Sequence, residues 1–513
     1  MPKQNILLIT VDQWRADCLG VAGHPVLRTP TVDRLAAGGV RFRRHYAVAS
    51  PCGPSRASLL TGMYACNHRS VTNGTPLDAR FTNLAKEVRH AGYRPVLFGY
   101  TDTSIDPRGL DPADPRLTTY EGLLPGFDVG LQLDEASAPW LEWLAAKGYP
   151  TGELSYPRVF DPVPGDLPAG RKLDNRPPIY PAAHSPTRFL VDATIDWLRG
   201  RERGWFVHLS LLRPHPPWIA PEPYNTAHDP AACPPPRRAE SAAVEGEQHP
   251  LLMALLARRD CRDFFAADGP VAELCDADVA QARATYYGLI EKVDAELARL
   301  FGAVDLDETL VVVTSDHGEM LGDHHLMGKA GYFDQAFHIP LIVRGPGVAR
   351  GAVDAFTESV DVMPTLLAYI GLAVPTQVDG CSLLPWLRGE RPGGWRDAAH
   401  WEFDFRDPRE AAAERHFGLP PELCNLTAIR SASEKYVHFA GLPPLYFDLA
   451  ADPDELRDLA TDPTRSADVL RCAQALLSWR MAHHERTLAN MSLGEGGVVE
   501  ALPAGRKSVL ADT

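Results

Sequence analysis

An α/β fold built on an open, mostly parallel sheet is predicted by three features of the chain. Short runs rich in Val, Ile and Leu alternate with longer helical or loop segments, the pattern of strands buried on both faces. Four of these runs end in polar clusters: Asp12-Gln13 after residues 5–11, Tyr100-Thr101-Asp102 after 95–99, Arg213-Pro214-His215 after 205–211, and Asp316-His317 after 310–314. Polar groups at the carboxyl ends of parallel strands form the ligand edge of such sheets. A fifth run, 339–343, reads as another parallel strand. Tyr286, Leu289, Ile290, Val293, Leu297 and Leu300 recur at helical spacing, which predicts a helix covering the sheet.

The proline-dense segments 161–181 and 214–236 carry apolar and aromatic residues, so they read as long ordered loops framing an entrance. After Leu383-Leu384-Pro385-Trp386-Leu387 the pattern changes to short strands at 435–439 and 445–449 and a helix near 467–480. This divides the chain into a large α/β domain at 1–390, an α+β subdomain at 391–490, and a tail at 491–513. The tail is polar from about Gly494 and available for an oligomer contact. A net charge of −15 argues against nucleic acid as a partner. The first apolar run is too short for a signal core and meets Asp12 at once, and no stretch is long enough to span a bilayer. Nine cysteines without a repeating framework fit a reducing, cytoplasmic setting, and all but Cys52 read as structural.

Cys52-Gly53-Pro54-Ser55-Arg56 is the most informative stretch. Pro54 suits the first position of a short helix that Gly62 stops, which puts residue 52 at a helix N-terminus where amides favour an anion. Arg56, one turn on, can act as a bidentate donor. By itself the motif fits either a small buried cysteine or a modified nucleophile. Asp12, Asp316 and His317 each follow a strand, so folding can gather them at one sheet edge. An imidazole among carboxylates shifts the expected metal from calcium or magnesium toward manganese, with iron and zinc behind it.

With these residues in hand, the chain resembles the phosphonate monoester hydrolases (phosphodiesterases) of the formylglycine-dependent sulfatase branch, within the alkaline phosphatase superfamily. The resemblance rests on Val11-Asp12-Gln13-Trp14-Arg15-Ala16-Asp17, Pro51 to Gly62, Arg213-Pro214-His215-Pro216-Pro217, Ser315-Asp316-His317-Gly318-Glu319, Glu402 to Asp407, and Trp479-Arg480. It implies an alkaline phosphatase-like fold: a large mixed sheet flanked by helices, with a smaller C-terminal subdomain. Gln13 and His317 depart from the second aspartate and the asparagine usual in sulfatases, and both changes disfavour calcium. Asp102 stands where a threonine is expected, which bears on substrate preference.

The resemblance further implies that a dedicated enzyme oxidises Cys52 to formylglycine, whose hydrate attacks a phosphonate, phosphate or sulfate ester. It assigns Asp12, Cys52, Asp316 and His317 to one divalent metal, and Cys52, Arg56, His215 and Lys329 to catalysis. Gln13, Asn73, Tyr100, Asp102 and Thr103 fall to substrate binding, and the assembly is expected to be a homotetramer. His324 and His325 are expected to pack the loop or hydrogen-bond behind the ligands rather than bind the metal. Two other readings remain open on the residues: a sulfatase for sulfate monoesters, and a silent binding protein with Cys52 unmodified.

Overall fold

The structure, a computed structural model, describes residues 3–500 apart from 151 and 153. Nine strands precede the C-terminal region: β1 (Asn5–Val11), β2 (Val40–Tyr46), β3 (Ala49–Ser50), β4 (Pro95–Gly99), β5 (Asp128–Gln132), β6 (Phe206–Leu211), β7 (Thr309–Thr314), β8 (Leu341–Arg344) and β9 (Gly351–Glu358). Eight of them form one sheet in the order β5-β4-β6-β1-β7-β8-β2-β9. The five strands from β5 to β7 in that order pair in parallel.

Alternation along β1 explains why the sheet is covered on both sides. Leu7, Ile9 and Val11 join one apolar core with Tyr286, Ile290, Val293 and Leu297 of the helix Asp276–Gly302. Ile6 and Leu8 join another with Leu59 and Leu60 of the helix Cys52–Thr61 and Met363 and Leu366 of Val362–Tyr369. Side chains of period two therefore feed two helical layers, the doubly covered arrangement that apolar strand runs demand.

Two expectations are corrected here. The run expected as a parallel strand at 339–343 is β8, antiparallel to both β7 and β2. The segment between β7 and β8 returns to the sheet at the end it left, without the crossover a parallel neighbour needs. The nucleophile helix also starts at Cys52, so Pro54 is its third residue rather than its first. The first intrahelical amide bond is Ser55 N–H to Pro51 C=O at 3.1 Å, so the missing N–H of Pro54 costs no bond. Gly62 closes the helix with φ 68°, as expected of a glycine stop.

The C-terminal region adds β10 (Ala399–Asp404), β11 (Asn425–Arg430), β12 (Glu434–Phe439) and β13 (Leu445–Asp448), an antiparallel series backed by the helix Ser466–Ala482. β3 pairs in parallel with β10, which ties the segment leading into Cys52 to this second sheet. Tyr436, Tyr446, Cys472, Leu476 and Trp479 form the apolar layer between sheet and helix. The tail differs from the polar extension expected from Gly494: β14 (Met491–Gly494) and β15 (Gly497–Glu500) form a hairpin whose Leu493 is 84% exposed. Residues 501–513, part of the tail expected to make an oligomer contact, lie outside the described residues. Among the described residues no helix is long and apolar enough to cross a membrane.

Candidate active site

The carboxyl ends of β4, β6, β1 and β7 lie side by side and bring Tyr100, Ser210, Asp12 and the Asp316-His317 pair together. Asp12, Cys52, Asp316 and His317 offer ligand atoms that all lie within 4.8 Å of one another, and all four residues are buried. His317 Nε2 is 3.2 Å from Cys52 Sγ and 3.7 Å from both Asp12 Oδ1 and Asp316 Oδ2. Its Nδ1 lies 3.0 Å from the Gly318 carbonyl, which can only accept, so Nδ1 carries the proton and Nε2 turns a lone pair toward the carboxylates. Burial lowers the imidazole to about 4, so it stays neutral, the form that binds metal. Asp12 Oδ1 is buried without a hydrogen-bond partner. Two carboxylates, one neutral imidazole and an orphaned oxygen fit a divalent cation.

Arg56 holds the two carboxylates in place. Its Nε donates to Asp316 Oδ2 at 2.9 Å and one Nη to Asp12 Oδ2 at 3.1 Å, while the other Nη donates to Ser210 Oγ at 2.7 Å. Tyr100 lies under this fork: Arg56 stacks 4.2 Å over its ring, and its hydroxyl donates to Asp12 Oδ2. Burial alone would disfavour the Asp12 charge, yet His215, Lys329, Arg56 and His317 together hold its carboxyl well below the usual range.

Lys329 Nζ donates to Cys52 Sγ at 2.8 Å and to Gln13 Oε1 at 3.0 Å. Gln13 takes φ 68° just past β1, which lets its amide N–H reach Asp316 Oδ1 at 3.1 Å while its side chain spans Lys329 and Glu319. Burial, followed by the Asp12 carboxylate, pushes the Cys52 thiol well above its ordinary range despite Lys329. An unmodified thiol here is protonated and a weak nucleophile.

The other residues singled out from the sequence are arranged around this centre. Asn73 Oδ1 accepts from the Gly53 amide at 2.9 Å, in the first turn of the nucleophile helix. His215 Nδ1 pairs with the Pro216 carbonyl at 2.8 Å, so Nε2 is its basic nitrogen. Asp102 is buried with φ 48°, its Oδ1 unpartnered, and burial raises its carboxyl to about 7. Thr103 donates its hydroxyl to the Thr101 carbonyl at 3.0 Å. His324 stacks 3.6 Å from Phe333 and bonds Glu245, and His325 bonds the Ala239 carbonyl at 3.0 Å, so both serve loop packing.

Two further residues complete the site. Ser210 anchors Arg56, and its signal was only its place near the end of β6. Glu319, buried, receives the Gln13 amide together with the backbone N–H groups of Leu321 and Gly328, and so positions Lys329. It sits inside the Ser315 to Glu319 motif, three residues past Asp316.

A buried cluster of two carboxylates, an imidazole and a cysteine at a helix N-terminus, set at the carboxyl edge of an α/β sheet, is the arrangement of a hydrolase of the sulfatase type. The chain belongs to the sulfatase family, whose profile matches residues 4–372, and the C-terminal profile of N-sulphoglucosamine sulphohydrolase matches residues 322–481. It is 42% identical over 508 residues to the multifunctional alkaline phosphatase superfamily protein PehA of Trinickia caryophylli, covering 96% of this chain and 98% of that one. The solved phosphonate monoester hydrolase of Agrobacterium radiobacter matches with a TM-score of 0.94 at 46% identity, over 98% of this chain and 100% of the other. Phosphonate monoester hydrolase SpPMH of Silicibacter pomeroyi matches at 0.91 and 41%, over 97% and 99%.

Proposed function

We propose that this protein is a metal-dependent hydrolase of phosphonate monoesters and phosphate diesters, with formylglycine made from Cys52 as its nucleophile. The observation that carries the reading is the meeting of Asp12, Asp316 and His317 around residue 52, at an N-terminus where Lys329 supplies positive charge. The solved structures matched at 46% and 41% identity are phosphonate monoester hydrolases, which supports phosphonate esters over sulfate monoesters.

Asp12, Asp316, His317 and the side chain at 52 would hold a divalent ion, manganese first on the donor set, which supplies positive charge beside a phosphoryl oxygen and acidifies a hydroxyl. Hydrated formylglycine supplies one hydroxyl to attack and a second whose deprotonation releases the product. The chain's own residues organise the rest. Arg56 fixes both carboxylates and so the direction of their free oxygens. Lys329 is held cationic, against the cost of burial, by the Asp12 and Asp316 carboxylates and by its hydrogen bond to the side chain at 52, and offers charge or a proton to the departing oxygen. Burial, assisted by Lys329, lowers His215, so its Nε2 is free to accept the proton of the second step.

Maturation then depends on a formylglycine-generating enzyme, and the working assembly is a homotetramer by likeness to the family. Initial rates on aryl phenylphosphonate, bis-aryl phosphate and aryl sulfate test the assignment. Fastest turnover of one of the two phosphorus esters is expected, and preference for sulfate by orders of magnitude would make the protein a sulfatase.

A further inference from the structure

A cleft of about 1360 Å³ opens beside the active site. Asn73 belongs to both: it lines the cleft, and its Oδ1 holds the Gly53 amide next to the nucleophile. Five arginines line this cleft against two carboxylates, a local reversal of sign in a chain of net charge −15. The two carboxylates are committed to backbone. Asp407 accepts from the amides of Arg409, Glu410 and Ala412, and Glu414 accepts from the amide of Asp407.

The arginines are not all committed. Arg116 is forked onto Asp114, and Arg258 donates to the Ala412 carbonyl. Arg69 and Arg409, by contrast, have no side-chain hydrogen bond or ion pair among the described residues. Arg406 keeps one buried Nη without a partner. Arg409 comes from the C-terminal sheet region and reaches the loop that carries Asn73: its Nη lies 3.9 Å from where a side chain on Gly74 would begin. Two uncommitted guanidinium groups thus line the cleft that shares Asn73 with the reacting centre.

In a diester or phosphonate ester one substituent leaves phosphorus and another stays, so at least one points away from the metal cluster into neighbouring space. We propose that the cleft receives a second anionic group, a carboxylate or phosphate, carried on a substituent of the ester, with Arg69 and Arg409 as the cations that recognise it. The inference rests on the ester-hydrolase reading and names the substrate class within it: esters with negative charge at the reacting phosphorus and again at the far end of one arm.

Matched substrates test this. One pair is the carboxypropyl and carbamoylpropyl diesters of para-nitrophenyl phosphate, which differ by one charge on the retained arm. A second pair places carboxylate or carboxamide on the leaving nitrophenol, which separates the two possible arms. A kcat/KM preference of about tenfold for the carboxylate in one pair is expected. That preference should shrink toward unity between ~50 mM and ~500 mM salt. It should also collapse in Arg69→Ala/Arg409→Ala and survive in part in Arg69→Lys/Arg409→Lys. The salt series uses the wild-type protein, so it holds even if the double alanine variant folds poorly. Equal rates within both pairs would overturn the inference alone. Failure to hydrolyse any of these esters, para-nitrophenyl phenylphosphonate included, would instead overturn the hydrolase reading beneath it.

Discussion

Lys329 Nζ lies 2.8 Å from Cys52 Sγ, so the cation nearest the nucleophile comes from the loop after β7 and not from the nucleophile's own helix. A charge fixed at that point steadies an oxygen that becomes negative as a bond to phosphorus breaks. Lys329→Met should therefore lower kcat by about 10²–10³-fold, and by more for esters with poor leaving groups. Rates across a series of phenols of rising pKa check this, because loss of the cation steepens the dependence on leaving group. A uniform loss with unchanged slope would assign Lys329 a merely structural role.

Arg56 is the cationic bridge between Asp12 and Asp316, and all three side chains are buried. Removing one partner from such a cluster leaves uncompensated charge. In metal-free protein Arg56→Ala should lose about 3–5 kcal/mol, measured by urea unfolding. A change under about 0.5 kcal/mol, the size of an ordinary surface substitution, would contradict the bridging role.

The pH profile follows from His215. Burial, with Lys329 adding to it, lowers the imidazole from its ordinary 6.5, so Nε2 is unprotonated and competent at neutral pH. Activity should hold above that lowered value and fall as pH drops through it. His215→Asn should lower kcat and remove this acid limb. An unaltered acid limb in the variant would exclude His215 as its source.

Asp102 places an extra carboxyl near the cluster, with Oδ1 unpartnered and burial raising it to about 7. Above that pH its charge opposes a doubly charged phosphate monoester more than a singly charged phosphonate monoester or diester. Near pH ~8.5, Asp102→Asn should raise kcat/KM for an aryl phosphate by about tenfold relative to an aryl phenylphosphonate. Parallel changes on both substrates would remove Asp102 from charge selection.

Much of this site was legible because its key residues sit where strands end. Asp12 and Tyr100 directly follow β1 and β4, and Asp316 lies two residues past the end of β7, so an apolar run and the polar cluster after it sufficed to gather them. The role of Gln13 as a strut between Lys329, Glu319 and Asp316 was not legible. Those partners lie some 300 residues along the chain, and meet Gln13 only because β1 and β7 pair. Ser210 was missed for the same reason: no local pattern distinguishes a serine inside a buried strand from one that anchors an arginine. The direction of β8 also escaped, since an apolar run as short as Leu341-Ile342-Val343 reads alike in parallel and antiparallel pairings. The exposed β14–β15 hairpin packs no core face that a periodic pattern could register.

The most direct measurement is peptide mass spectrometry on protein matured with a formylglycine-generating enzyme. Cleavage after arginine releases the fragment from His45 to Arg56, which contains one cysteine. Conversion of the thiol to an aldehyde lowers that fragment's mass by about 18 Da and makes it reactive toward hydrazides. The account predicts that the converted fraction tracks specific activity from one preparation to the next, and that Cys52→Ala is inactive but folded. Full activity in preparations whose fragment carries only the free thiol would contradict it.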